Sequence, residues 1–251
     1  MSTITTKEEC TLGMKVTETR GFYLALTLTA LGFGFLTGSA NAVVYQLLLG
    51  SGIIQGSFYD NAWIAGFTEP ILTKFLPAFL PMVFGVPAAV VVYTFVASLT
   101  LGVMFSLGHT IPVLALGAPV LLGLLTYLEF PHLRQFSCVD YERERWRAAP
   151  YTGFLFGVVE LYTRNLGGSE LRLFFWEMQT FNVNQFAPVI LHVITGTFIV
   201  WSLMSVNRPR ATRYSLAFAG LITGGLIHYI FNTWLQVQPW FWRTFYRVMT
   251  I

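Results

Sequence analysis

The chain has 251 residues, of which 55% are hydrophobic and only 11% charged, against about 25% charged in ordinary globular proteins. A net charge of +3, with no basic block, gives no footing for nucleic acid. Apolar runs near twenty residues long exclude a soluble domain and predict an all-α membrane protein of about seven transmembrane helices, with a polar site within the bundle. Cys10 and Cys138 lie in separate polar segments and offer neither a disulfide framework nor metal-ligand spacing.

In chain order, residues 1–20 are polar and mixed in charge, and read as a solvated N-terminal arm. Residues 21–236 form one transmembrane domain, and 237–251 an interfacial tail. The first span covers 21–50. Its Ser39-Ala40-Asn41-Ala42 looks like a signal-peptidase site, but Val43 to Leu49 continue the apolar run, so no cleavage is expected. A Gly/Ser loop at 51–61 leads to a second span at 62–83, which contains Glu69, Pro70 and Lys74. The third span is expected at 84–107 and the fourth at 111–128. Residues 129–149 are the one sizeable hydrophilic loop, and the fifth span follows at 150–166 with Phe156 and Glu160. An amphipathic interfacial piece fits 167–186. The sixth span, 187–206, carries His192; the seventh, 214–236, carries His228 and Asn232. The aromatic, basic run Trp240-Phe241-Trp242-Arg243 reads as an anchor at the membrane surface.

Lys and Arg counts set the orientation. With seven spans, the segments on the N-terminal side hold ten and the opposite segments four, which predicts a cytoplasmic N-terminus and a C-terminus outside. The lipid bilayer is thus the first expected partner.

A carboxylate at mid-bilayer costs roughly 3 kcal/mol unless something compensates it. Glu69, Glu160, His192 and His228 all fall in apolar spans, and each lies between five and eight residues from the outer end of its span. At 1.5 Å per residue they share a layer about 5 Å deep, some 7–12 Å below the outer surface. A lone intramembrane His is often only a helix–helix hydrogen-bonder, and Glu160 could serve as a structural partner of Lys74. Four such groups at one depth argue for joint action. His228 and Asn232, at i and i+4, share a helix face, as do Phe156 and Glu160. His109 and His132 sit in loops and are read as incidental.

Two chemistries suit such a set. Glu160, His192 and His228 could hold zinc with a position open for water. Alternatively, one carboxylate could act as general base while His and Asn donate to an oxyanion. Both hydrolyse an amide, and the residue types leave the choice open.

The order of these motifs resembles the PrsW family of intramembrane proteases, related to the CAAX prenyl proteases and to the anterior-pharynx-defective subunit of gamma-secretase. Glu69 with Lys74, Phe156-Gly157-Val158-Val159-Glu160, His192 with Gly196, and His228-Tyr229-Ile230-Phe231-Asn232 stand in the family's order over residues 60–235. The resemblance implies an intramembrane endopeptidase acting on a membrane protein or peptide. Glu69, Glu160, His192, His228 and Asn232 would be its catalytic set, and Lys74 and Phe156 would support them. Zinc is the cofactor to be expected, if any. Relatives without protease activity imply an alternative, a scaffold or peptide-binding subunit; a transporter, with Glu69, Lys74 and Glu160 as a relay, ranks third. Where the family has a second Glu, this chain has Pro70. Lys74 follows Glu69 by five positions, about 140° around an ideal helix, so the two would face apart unless Pro70 redirects the backbone.

Overall fold

A computed structural model of the chain describes residues 10–106, 136–165 and 186–234. The described residues are helical and contain no strand. Three helices among them are long and apolar enough to cross a membrane: α1 (Leu12–Gly50), the Ala187–Met204 stretch of α6 (Phe186–Met204) and α7 (Arg210–Thr233). Seven helices of that kind were expected; among the described residues, the second of the expected spans is broken and the fifth opens on charged residues. The stretch read as the second span is divided into α2 (Phe58–Pro70), a π-helical turn (Ile71–Phe75) and α3 (Leu76–Phe84). Helix α4 is Val86–Ser106, separated from α3 by Gly85 at φ +81°, a conformation that favours glycine. Helix α5 (Tyr141–Asn165) spends its first turns on charged residues. The expected fourth span, the amphipathic piece and the C-terminal anchor lie outside the described residues, as do His109 and His132.

The helices present apolar stripes outward. Val91, Phe95 and Leu99 on α4, Ile190, Ile194 and Phe198 on α6, and Phe218, Ile222, Leu226 and Ile230 on α7 recur every fourth position, and all are exposed. In water such faces would be costly; against acyl chains they cost nothing. Inside, the hydroxyls of Thr29, Thr37, Thr73, Thr152 and Thr195 each donate to the carbonyl four residues earlier, so none of these five is left unpaired. Such packing suits helices able to cross a membrane.

Two expectations are corrected at the arm and the hydrophilic loop. Helix α1 begins at Leu12, where the Thr11 hydroxyl accepts from the Met14 amide, so half of the supposed arm is helical. Glu18 is buried there because its carboxylate accepts from the Cys138 amide at 2.6 Å. Cys10 and Cys138 form a disulfide with a Cα–Cα distance of 5.7 Å. The sequence does not reveal this pairing, because segments 128 residues apart become neighbours only through the fold. The second half of the 129–149 loop is the start of α5, capped by Asp140, whose carboxylate accepts from the Arg143 amide. Charged residues are good helix formers, and hydrophilicity alone does not make a loop.

At the opposite end, Ser57 and Asp60 form a reciprocal capping box that starts α2. Those bonds hold the Asp60 carboxyl below the usual carboxylate range.

Helices α5 and α6 pack most closely. A Cβ on Gly153 would lie 2.0 Å from the His192 carbonyl oxygen, and one on Gly157 would lie 2.8 Å from the Cα of Val189. Gly196 answers from α6, where an added Cβ would meet the Gly153 Cα at 2.8 Å. This small-residue contact draws the α5 and α6 backbones together and so sets the distance between Glu160 and His192.

Candidate functional site

Six elements supply the side chains of the site. Helix α1 supplies Asn41, α2 supplies Thr68 and Glu69, and the π-helical turn supplies Lys74. Helix α5 supplies Phe156 and Glu160, α6 supplies His192, and α7 supplies His228 and Asn232.

The π-helical turn resolves the register problem posed by Glu69 and Lys74. Pro70 has no amide hydrogen, and the helix widens directly after it: the Leu76 amide reaches back to the Ile71 carbonyl, five residues earlier. The Thr73 hydroxyl takes the Glu69 carbonyl at 2.6 Å. One extra residue in the turn swings Lys74 inward to the side where Glu69 faces the bundle. Lys74 ends fully buried, with 0% of its surface exposed.

An ammonium can only donate. Lys74 Nζ lies 3.0 Å from His192 Nδ1, which must therefore be the accepting nitrogen, leaving the ring hydrogen on Nε2. His192 Nε2 in turn meets Glu160 Oε2 in a short contact. Lys74, His192 and Glu160 thus form a line in which opposite charges flank a neutral imidazole. Phe156 packs edge-on against the His192 ring at 4.5 Å between centroids, and Lys74 Nζ sits 5.3 Å from the Phe156 ring centre. The aromatic face adds a favourable field to an ammonium removed from water.

A second pair lies beside the first. His228 Nδ1 is 3.2 Å from Glu69 Oε2, and the His192 and His228 rings stand 5.1 Å apart, nearly perpendicular. Asn41 Nδ2 donates to Glu69 Oε1 at 3.3 Å, while Asn41 Oδ1 takes the Thr68 hydroxyl. Asn232 borders the same space: a cleft of about 510 Å³ between α1 and α2 is lined by Asn41, Ala62, Ala65, Glu69 and Asn232. A second cavity of about 400 Å³, sharing Ala42, Phe58 and Asn61 with the first, runs on toward the Gly56 loop. The cleft therefore leads from the α1–α2 loop to the Glu69 carboxylate.

All seven residues singled out from the sequence are drawn together at one end of the bundle: Glu69, Lys74, Phe156, Glu160, His192 and His228 form contacting groups, and Asn232 lies on the cleft. Asn41 and Thr68 were missed. Asn41 looked like part of a cleavage site; the signal was its amide in an otherwise apolar run, where a polar group needs a partner.

The metal expectation shifts. Glu69, His192 and His228 each offer a ligand atom within 4.8 Å of the others, and Glu160 is not in that set. However, His192 meets Lys74 at one ring nitrogen and Glu160 at the other, and a buried ammonium against the first repels a dication. Without His192 only two of these ligands remain, fewer than the three protein ligands of a catalytic zinc site. The residues as arranged do not fit zinc.

No protein-family model matches the chain, and no match is found among curated proteins or among solved structures.

Proposed function

We propose that the chain is an intramembrane peptide hydrolase, resembling PrsW, which cleaves a membrane protein or peptide without a metal ion. The observation that carries this reading is a carboxylate–imidazole pair, Glu69 and His228, at the inner end of a cleft large enough for an extended peptide segment. Glu69, oriented by Asn41, takes a proton from water as it attacks the scissile carbonyl. Glu69 passes that proton to His228, whose Nδ1 lies 3.2 Å away, and the resulting imidazolium releases a proton to the leaving amine while Asn232 donates to the developing oxyanion. Lys74 and Glu160 hold His192 in one tautomer beside His228, and the Lys74 ammonium supplies a positive field that favours the oxyanion. General acid–base help of this kind is worth about 10²–10⁴-fold in rate.

A second reading, a peptide-binding scaffold, draws on the enclosure of the Lys74–His192–Glu160 line, which would serve structure equally well. The discriminating experiment compares membranes from cells expressing the wild type and Glu69→Gln for new peptide N-termini. N-termini present only with the wild type support hydrolysis; identical sets would favour the scaffold. Cleavage by the purified wild type should persist in 1,10-phenanthroline within about two-fold, on the order of assay scatter and far below the 10²-fold loss expected on removing an essential catalytic group. Abolition by the chelator, reversed by zinc, would overturn the metal-free chemistry.

The apolar helices beyond the three long ones belong to the same packed bundle, and we place them in the bilayer too, as seven crossings with the N-terminus cytoplasmic. The Cys10–Cys138 bridge makes this orientation testable, because cytoplasmic cysteines are kept reduced. In this orientation the Cys10–Cys138 bridge is opened by the reducing cytoplasm, so in intact cells both thiols should react with a membrane-permeant maleimide and be spared by an impermeant one. Labelling that requires prior reduction would place this face on the oxidising side and reverse the orientation.

A further inference from the structure

At the end of the bundle away from the cleft, where α5 begins and α6 turns into α7, basic groups outnumber their partners. Arg145 lies with its guanidinium carbon 4.6 Å from the centre of the Trp201 ring, and that of Arg208 lies 5.3 Å from the same ring. Two like charges on one indole repel each other, and nearby acids do not relieve both. Glu142 is occupied by Arg145 at 2.5 Å and by the Asn207 amide at 2.7 Å, while Glu144 accepts from Tyr23. Arg208 has no acidic partner among the described residues.

Donors are in surplus in the same corner. Arg145 Nε and Trp201 Nε1 are buried and find no acceptor among the described residues. Helix α7 starts just beyond, at Arg210, with no side-chain cap and no acidic residue in its first turn, so the positive end of its dipole adds to the field. A group with several anionic oxygens seated at the exposed Arg208 would offset the repulsion between the two guanidiniums. The location decides its source. The corner terminates two of the helices long enough to cross a membrane, and Trp146, 65% exposed, flanks it as tryptophans flank the headgroup layer.

We propose that Arg208 and Arg145, held side by side on the Trp201 ring, bind the phosphate of an anionic phospholipid headgroup. The site is independent of the hydrolase reading and anchors the α6–α7 turn to one leaflet.

The test uses the full chain purified in neutral detergent, with phosphatidylglycerol or phosphatidylcholine added and retained lipid counted by native mass spectrometry. Phosphatidylglycerol should be retained several-fold more than phosphatidylcholine. Arg208→Gln, a change at an exposed side chain, should weaken its retention about five-fold, the effect expected for one arginine at a membrane surface. Equal retention of the two lipids, or an Arg208→Gln protein that behaves as wild type, would overturn the proposal. So would displacement of phosphatidylglycerol by millimolar inorganic phosphate or by a soluble acidic peptide, since the site would then not select a lipid.

Discussion

Lys74→Ala is expected to destabilise the bundle by about 3–5 kcal/mol, the cost of leaving a buried charge without its partner. Lys74 has no exposed surface, so water cannot take its place. Its loss strands the Glu160 carboxylate at the far side of His192 and frees the imidazole to change tautomer. Unfolding by sodium dodecyl sulfate in mixed micelles measures the loss. The double variant Lys74→Met with Glu160→Gln separates charge from packing, because it removes both charges and retains most of the volume. It should recover at least half of the single-variant loss, since a buried pair replaced as a unit is often neutral. If the single variant unfolds like the wild type, or the double variant loses as much as the two single changes summed, the Lys74–His192–Glu160 line is not an electrostatic unit.

Among the described glycines, Gly153→Ala should be the most damaging change. The new Cβ would lie 2.0 Å from the His192 carbonyl oxygen and 2.6 Å from its carbonyl carbon, both backbone atoms that no rotamer change can move. Helix α6 must shift away from α5, and His192 moves with it. Overpacking of this kind costs about 1–3 kcal/mol, more where backbone must yield. Gly34 on α1 provides the control. There an added Cβ meets the Val159 side chain at 3.2 Å, which can give. Gly34→Ala should therefore cost clearly less than Gly153→Ala in the same unfolding assay, and the reverse order would disprove the close α5–α6 contact.

The ionisable residues of the site were legible because an apolar span makes any charge conspicuous. Glu69, Glu160, His192 and His228 stood out on cost alone, and their shared depth foretold that they would meet. What was not legible depended on departures from ideal geometry or on distant neighbours. The 140° between Glu69 and Lys74 held only for a regular α-helix, and the π-helical turn after Pro70 removed it. Asn41 carries no charge, and only the position of Glu69 gives its amide a purpose. Burial of Glu18 and the pairing of Cys10 with Cys138 required the N-terminal helix and the start of α5 to lie side by side. Gly157 was noticed as part of a motif, while the reason for it, the approach of Val189, belongs to the packing.

Hydrolysis by the purified chain in lipid nanodiscs tests the central claim most directly. A membrane segment identified by its new N-terminus in cells would be supplied as a synthetic peptide, and its cleavage followed by mass spectrometry. Wild type should cut it at one bond. Glu69→Gln, which keeps the shape of the side chain and removes its basicity, should slow the cut by about 10²–10⁴-fold with the unfolding transition preserved. Cleavage by Glu69→Gln at the wild-type rate would contradict a site in which Glu69 activates water.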